Sequence, residues 1–192
     1  MIEGGSSKAY AATKAMAYGD PPRFKALIDL LVRSVAQHLV AQIKAGADAV
    51  MVFDSWAGSL DRDAQLAWSA DPLERIVRLV RDEAADTPII VFPRKAMFAA
   101  RALAGIDPLV SLQVDYANDL HAAARLDFAA VQGNLDPGRL LCGRDEVVQA
   151  TRDVLSVVGH QRSHVFNLGH GIFKESDPDA VHWVLDAVRA DG

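Results

Sequence analysis

At 192 residues the chain is long enough for one domain with a sizeable core. Hydrophobic residues make up 51%, charged residues 23% and the net charge is -5 with no basic run, which excludes a cationic face for non-specific nucleic-acid binding. Cys142 is the only cysteine, so an internal disulfide and a cysteine-rich metal site are excluded, and the absence of a signal-peptide pattern or an apolar run of about 20 residues makes a cytoplasmic, non-membrane protein the expectation.

Residues 1–7 read MIEGGSS and suit a loop or the close of a strand. Asp20-Pro21-Pro22 opens a helix, because Asp20 can cap it and proline is tolerated in the first turn. Phe24, Ile28, Leu31, Val35, Leu39 and Ile43 then follow helical spacing until Gly46 ends the helix. Residues 49–58 read AVMVFDSWAG: a buried strand over 49–53, then a polar cluster. Asp71-Pro72-Leu73-Glu74 has the form of a capping box, with Leu73, Ile76, Val77 and Val80 as the apolar face of the next helix.

The pattern repeats along the rest of the chain. Strands are expected over 89–92, 109–114, 128–132 and 163–166. Helices are expected over 96–104, 118–125 and 145–158, and from Asp177-Pro178 to about Ala190. Gly105 and Gly159 stop two of them. No linker, low-complexity tract or second domain is visible, so residues 1–192 are expected to form one unit. Strict alternation implies an α/β fold of parallel strands joined by right-handed crossovers. A doubly wound sheet and part of a (β/α)8 barrel both meet that rule. No GxGxxG or P-loop pattern follows any strand, however, and the chain supplies about five strands where a barrel needs eight.

Polar residues close each strand: Asp54 and Ser55, Arg94 and Lys95, Asp115 and Tyr116, Gln132 and Asn134, Asn167 and His170. Parallel, adjacent strands would gather them on one face. The mixture of cations, glycine amides and acceptors suits a polyanionic small molecule better than a metal. Ordinary roles compete: Asp54 and Ser55 can cap a turn, Arg94 and Lys95 can be a solvated pair, and Gln132-Gly133-Asn134 and Asp136-Pro137 are common turn chemistry. His170, set between two glycines, favours function. His38, His121, His160, His164 and His182 have no metal-ligand spacing and read as surface or satisfied core residues. Trp68 and Trp183 read as packing residues, whereas Trp56 stands within a polar cluster. Cys142 has no activating neighbour and reads as a structural thiol.

Four stretches, IEGGSS at 2–7, QIKAGADAVMVFDSWAG at 42–58, VQGNLDP at 131–137 and FNLGHGI at 166–172, resemble the uroporphyrinogen decarboxylase family in order and spacing. The likeness covers the whole chain but only the C-terminal part of the family. It implies a partial (β/α)8 TIM barrel, about five of eight strands, from a homodimeric carboxy-lyase of haem and porphyrin biosynthesis. Such an enzyme, with no cofactor and no metal, converts the four acetate arms of uroporphyrinogen III to methyls, giving coproporphyrinogen III and CO2. By motif, Ser55 matches a substrate-binding serine and His170 a histidine that contacts a substrate carboxylate. Asp54, Gln132, Asn134 and Asn167 are weaker substrate-binding candidates.

The same resemblance places the family's arginine motif, central aspartate and active-site tyrosine upstream of Met1, so no catalytic residue is assigned here. Arg94-Lys95-Ala96 also departs from the family's glycine-containing turn. The expectation is a truncated or fragmentary member, weakly active or inactive alone, with two unpaired sheet edges. A non-catalytic porphyrinogen-binding or dimer-partner module is the alternative. A zinc methyltransferase of the same superfamily is disfavoured by the single cysteine and the lack of a His-x-Cys pair.

Overall fold

The computed structural model describes residues 2–159 and 163–191; His160, expected to be an unremarkable histidine, lies outside them. In chain order the elements are α1 (Ala11–Gly19), α2 (Pro21–Lys44), β1 (Val50–Asp54), α3 (Arg62–Gln65), α4 (Asp71–Glu83), β2 (Ile89–Pro93), α5 (Met97–Ala102), β3 (Val110–Gln113), α6 (Leu120–Ala123), β4 (Val131–Gln132), α7 (Arg144–Val158), β5 (His164–Val165) and α8 (Pro178–Asp191). Every expected strand is present. β4 and β5 are shorter than expected, and Phe128 packs into the core ahead of β4 rather than pairing within it.

Local chemistry explains most boundaries. The Asp20 carboxylate accepts from Arg23 N–H at 3.2 Å and caps α2, and Gly46 follows α2 at φ 105°. Asp71 corrects the expected capping box. A π-helical turn, Leu66–Ala70, joins α3 to α4, so Asp71 is already helical, caps nothing and instead meets Arg75 at 3.3 Å. The helix start moves upstream to Asp61, which accepts from Ala64 N–H at 2.9 Å. The expected helix over 118–125 shrinks to the single turn α6, capped by Asp119.

The five strands pair in parallel in the order β1-β2-β3-β4-β5, without the order reversal that defines a doubly wound sheet. Register puts Val52, Val91, Leu112 and Val131 in one row. These residues, with Val50, Ile89 and Val110, form a single apolar cluster with α2, α4, α5 and α6. The helices therefore cover one face. The opposite row holds Met51, Ile90 and Ser111, and one step on stand Gln113, Gln132 and Val165.

The sheet also curls. Gln132 Nε2 on β4 lies 3.7 Å from Met51 Sδ on β1. On a flat sheet those strands would stand about 14 Å apart, three spacings of ~4.8 Å. Single-face helices, sequential parallel order and this contact across the hollow make the chain an arc of a (β/α)8 barrel.

One sequence expectation needs revision. By length and composition alone, α2 is a helix long and apolar enough to cross a membrane. Here Val32, Ala36 and Leu39 of α2 pack into the cluster shared with α4, and its Asp29 binds Arg75 of α4 at 2.5 Å. Those contacts give it the amphipathic character of a helix packed on a protein core.

Candidate functional site

The C-terminal strand ends frame a cavity of about 310 Å³. Met51, Phe53 and Ser55 reach it from β1 and the residue after it, in steps of two along one strand face. Phe92 and Arg94 come from β2, Gln113 from β3, and Asn167, Leu168, His170 and Gly171 from the loop after β5. Ser55 and His170, far apart in the chain, thus line one space. Among the described residues no Asp or Glu lines it, and its ionisable side chains are Arg94 and His170.

A polar network builds the floor. Gln132 Nε2 donates to Gln113 Oε1 at 2.5 Å, and Asn167 Nδ2 donates to the same oxygen at 3.3 Å. Gln113 Nε2 donates to Val114 O at 3.0 Å and to Leu168 O at 3.1 Å, tying β3 to the loop after β5. Both glutamines are buried; Gln113 uses both its amide nitrogen and its oxygen, and Gln132 its nitrogen, in line with the rule that buried amides are hydrogen-bonded. Asn167 is thus held as part of the wall, whereas Gln132 does not line the cavity and supports Gln113 from behind.

His170 is exposed, and its Nδ1 accepts from Gly171 N–H at 2.7 Å. A neutral ring so held carries its proton on Nε2, which becomes the donor available to a ligand. The Tyr116 ring stands edge-on to the imidazole at 6.5 Å, and Lys95 Nζ lies 5.7 Å from the other partner of that pair, Tyr116. The neighbouring glycines serve close approach. A side chain at Gly169 would collide with the Tyr116 amide, and one at Gly133, where φ is 116°, would meet Val114 O.

Two expected members of the polar set do other work. Asp115, 1% exposed, accepts from Lys95 N–H at 2.7 Å, Ala117 N–H at 2.9 Å and Asn118 Nδ2 at 2.6 Å. It organises the loops after β2 and β3 from beneath. Asn134 Nδ2 donates to Asp115 O at 3.1 Å and Asn118 O at 2.9 Å, so its amide is committed to the same loops.

Asp54 points the other way, as its strand parity with Val50 and Val52 requires. It borders the grooves beside α2, with Trp68 and Leu31, rather than the cavity. Burial pushes its carboxyl above the ordinary range, partly offset by the Ser69 hydroxyl and the Trp56 and Ala57 amides that lean towards it. Ser69 Oγ is buried without a hydrogen-bond partner of full geometry. Trp56 faces the α2 side as well, its ring 5.4 Å from Tyr10.

The remaining singled-out residues are ordinary. His38 meets Gln42 at 3.0 Å, and His164 Nε2 meets Gly133 O at 2.6 Å. Trp68 packs edge-on to Phe24 at 4.7 Å. Cys142, read as structural, is exposed. Among the described residues no group of three His, Cys, Asp or Glu side chains is placed to hold a metal ion. Sequence reasoning missed Met51, Phe53 and Gln113. The signal was available: Met51 and Phe53 share the alternation of Ser55, and Ser111 and Gln113 break an apolar run at period two.

The family model for uroporphyrinogen decarboxylase (URO-D) matches residues 1–190. The chain belongs to the uroporphyrinogen decarboxylase family. Relatives bearing that name include those of Teredinibacter turnerae, 41% identical over 98% of this chain and 54% of the relative. The Erythrobacter litoralis protein is 38% identical over 98% of this chain and 56% of the relative. That of Rhodospirillum rubrum is 35% identical over 99% of this chain and 55% of the relative. The chain spans about half the length of the curated relatives it matches. Within the family, the four motifs that carried the resemblance sit on the α1–β1 side of the arc and on the loops after β1, β4 and β5.

Proposed function

We propose that this chain supplies the substrate-holding arc of a uroporphyrinogen decarboxylase, with Ser55 and His170 contacting carboxylate arms of the tetrapyrrole. The observation that carries this reading is their presence around one cavity that no carboxylate lines among the described residues. His170 Nε2 is the donor left for an anion, and the Ser55 hydroxyl adds a second polar contact. Gln132 and Asn167 hold the wall behind them through Gln113. Asn134 and Asp54 support loops rather than ligand.

A cavity of about 310 Å³ is small for a tetrapyrrole with all its arms, so the arc encloses part of the substrate. The one lining imidazole, His170, is assigned to a carboxylate arm, which leaves no other described lining group suited to protonate a pyrrole carbon. The isolated chain is therefore expected to bind uroporphyrinogen and to turn it over weakly or not at all. We further propose a cytoplasmic, homodimeric protein acting without cofactor, residues 1–192 forming one unit.

The test is anaerobic incubation of the 192-residue chain with uroporphyrinogen III, with products separated by carboxylate count, beside fluorescence titration with uroporphyrin. Binding that drops about tenfold in His170→Ala or Ser55→Ala supports the reading, since each removes one polar contact to an anion. Binding unchanged by both substitutions sinks it. Tight binding with no decarboxylation favours the non-catalytic module; robust turnover refutes the expectation of weak activity.

A further inference from the structure

We propose that Arg94 is a third carboxylate contact in this cavity, a side-on fork for one arm of the polyanion; this rests on the tetrapyrrole reading above. The backbone of Arg94 is pinned on both sides. Its N–H donates to Asp54 O at 3.1 Å, and its carbonyl accepts from Gly58 N–H at 3.0 Å. The next residue, Lys95, is held in the left-handed region at φ 57° by the Asp115 carboxylate on its N–H. The turn after β2 is thus fixed, and it delivers the Arg94 side chain into the cavity beside Ser55 and His170.

The guanidinium is poorly satisfied where it lies. Nη1 reaches Ser55 O only at 3.5 Å, the far limit of a hydrogen bond. Nε is buried and has no hydrogen-bond partner among the described residues. No carboxylate pairs with Arg94 among the described residues, although Arg75, Arg78, Arg81 and Arg139 all have acidic partners. A buried guanidinium N–H without an acceptor is costly, and an incoming oxygen removes that cost. Nε and one Nη form a planar fork that matches the two oxygens of a carboxylate, which a lysine cannot reproduce. Lys95 does not compete for the role, because its Nζ is turned towards the Tyr116 ring.

The rival role is support: Arg94 could merely steady the Ser55 loop. Uroporphyrin titrations of the full chain, at about 0.05 M and about 1 M salt, separate the two, because screening shortens from beyond 10 Å to about 3 Å over that range. Arg94→Gln is expected to weaken binding about tenfold at low salt and much less at high salt, through loss of a charge-assisted pair. Arg94→Lys, which keeps charge and loses the fork, should fall between. Equal losses at both salt concentrations, or none, overturn the proposal, and Arg94→Lys carries the test if Arg94→Gln folds poorly by circular dichroism. His170→Ala keeps the two readings apart. If it weakens uroporphyrin binding while both Arg94 variants do not, only the Arg94 proposal fails; if the unsubstituted chain ignores uroporphyrin, both fail.

Discussion

The two faces of the same five strands are built from opposite materials. Towards the helices stand Val50, Val52, Ile89, Val91, Val110, Leu112 and Val131, all buried, with no polar atom among their side chains. Towards the hollow stand Met51, Phe53, Ser111, Gln113, Gln132 and Val165, a mixture of amides, a hydroxyl and apolar groups. Phe53 is 64% exposed there, whereas its neighbour Val52 is 6% exposed. The first face holds the fold together by burial; the second is arranged by hydrogen bonds and borders the cavity. The packed core and the cavity lining are thus separated by one residue of strand parity.

Substitutions probe that separation. Leu112→Ala, on the helix face, should cost about 2–5 kcal/mol in urea unfolding, because a fully buried side chain leaves a cavity. Asp107→Asn comes next. Arg81 grips Asp107 with Nε at 2.8 Å and Nη2 at 3.0 Å, tying α4 to the loop before β3. Losing that half-buried pair should cost about 1–3 kcal/mol at neutral pH. Hydrogen bonds from Arg81 hold the Asp107 carboxyl below its usual range. A lowered folded value means the pair's contribution is complete above the ordinary carboxylate range of about 4 and fades as pH falls through the depressed value. The two proteins should therefore converge in acid, and a gap that persists there would mean the loss is not electrostatic.

Phe53→Ala removes more atoms than Leu112→Ala yet should cost only about 0.5–1 kcal/mol, mostly its edge-on contact with Phe92 at 6.0 Å. A loss as large as that of Leu112→Ala would show that the hollow face is core and would end the contrast. Asp54→Asn should have the smallest effect. Burial raises its folded carboxyl, so the charged form is penalised as pH rises through that raised value, and the penalty is absent below about 4. The variant should match the parent near pH 4 and be slightly more stable at pH 7, by under ~1 kcal/mol. Chemical-denaturation curves at the two pH values check the sign.

The helices that carry an apolar stripe or a clear cap were legible. Asp20 with its two prolines announced α2, and Asp177-Pro178 announced α8, where Asp177 accepts from Asp179 N–H at 2.9 Å. α1 was not legible: AATKAMAYG favours helix by propensity, but only Ala17 is buried, so no stripe marks it. The join of α3 to α4 was misread because a π-helical turn erases the boundary that Asp71-Pro72 suggests. At the site, Ser55 and His170 were legible through their motifs. Asp115 and Asn134 were legible only as polar strand-end residues, and their work is on loop backbone.

The order of elements, the apolar face of each strand and most caps follow from residues within a few positions of one another, and local contacts suffice to specify them. The meeting of Ser55, Arg94 and His170, and the bond from Gln132 to Gln113, depend on how far neighbouring strands curl and which strand ends lie side by side. Register and curvature arise from packing the whole sheet against its helices, so no short stretch of sequence contains them.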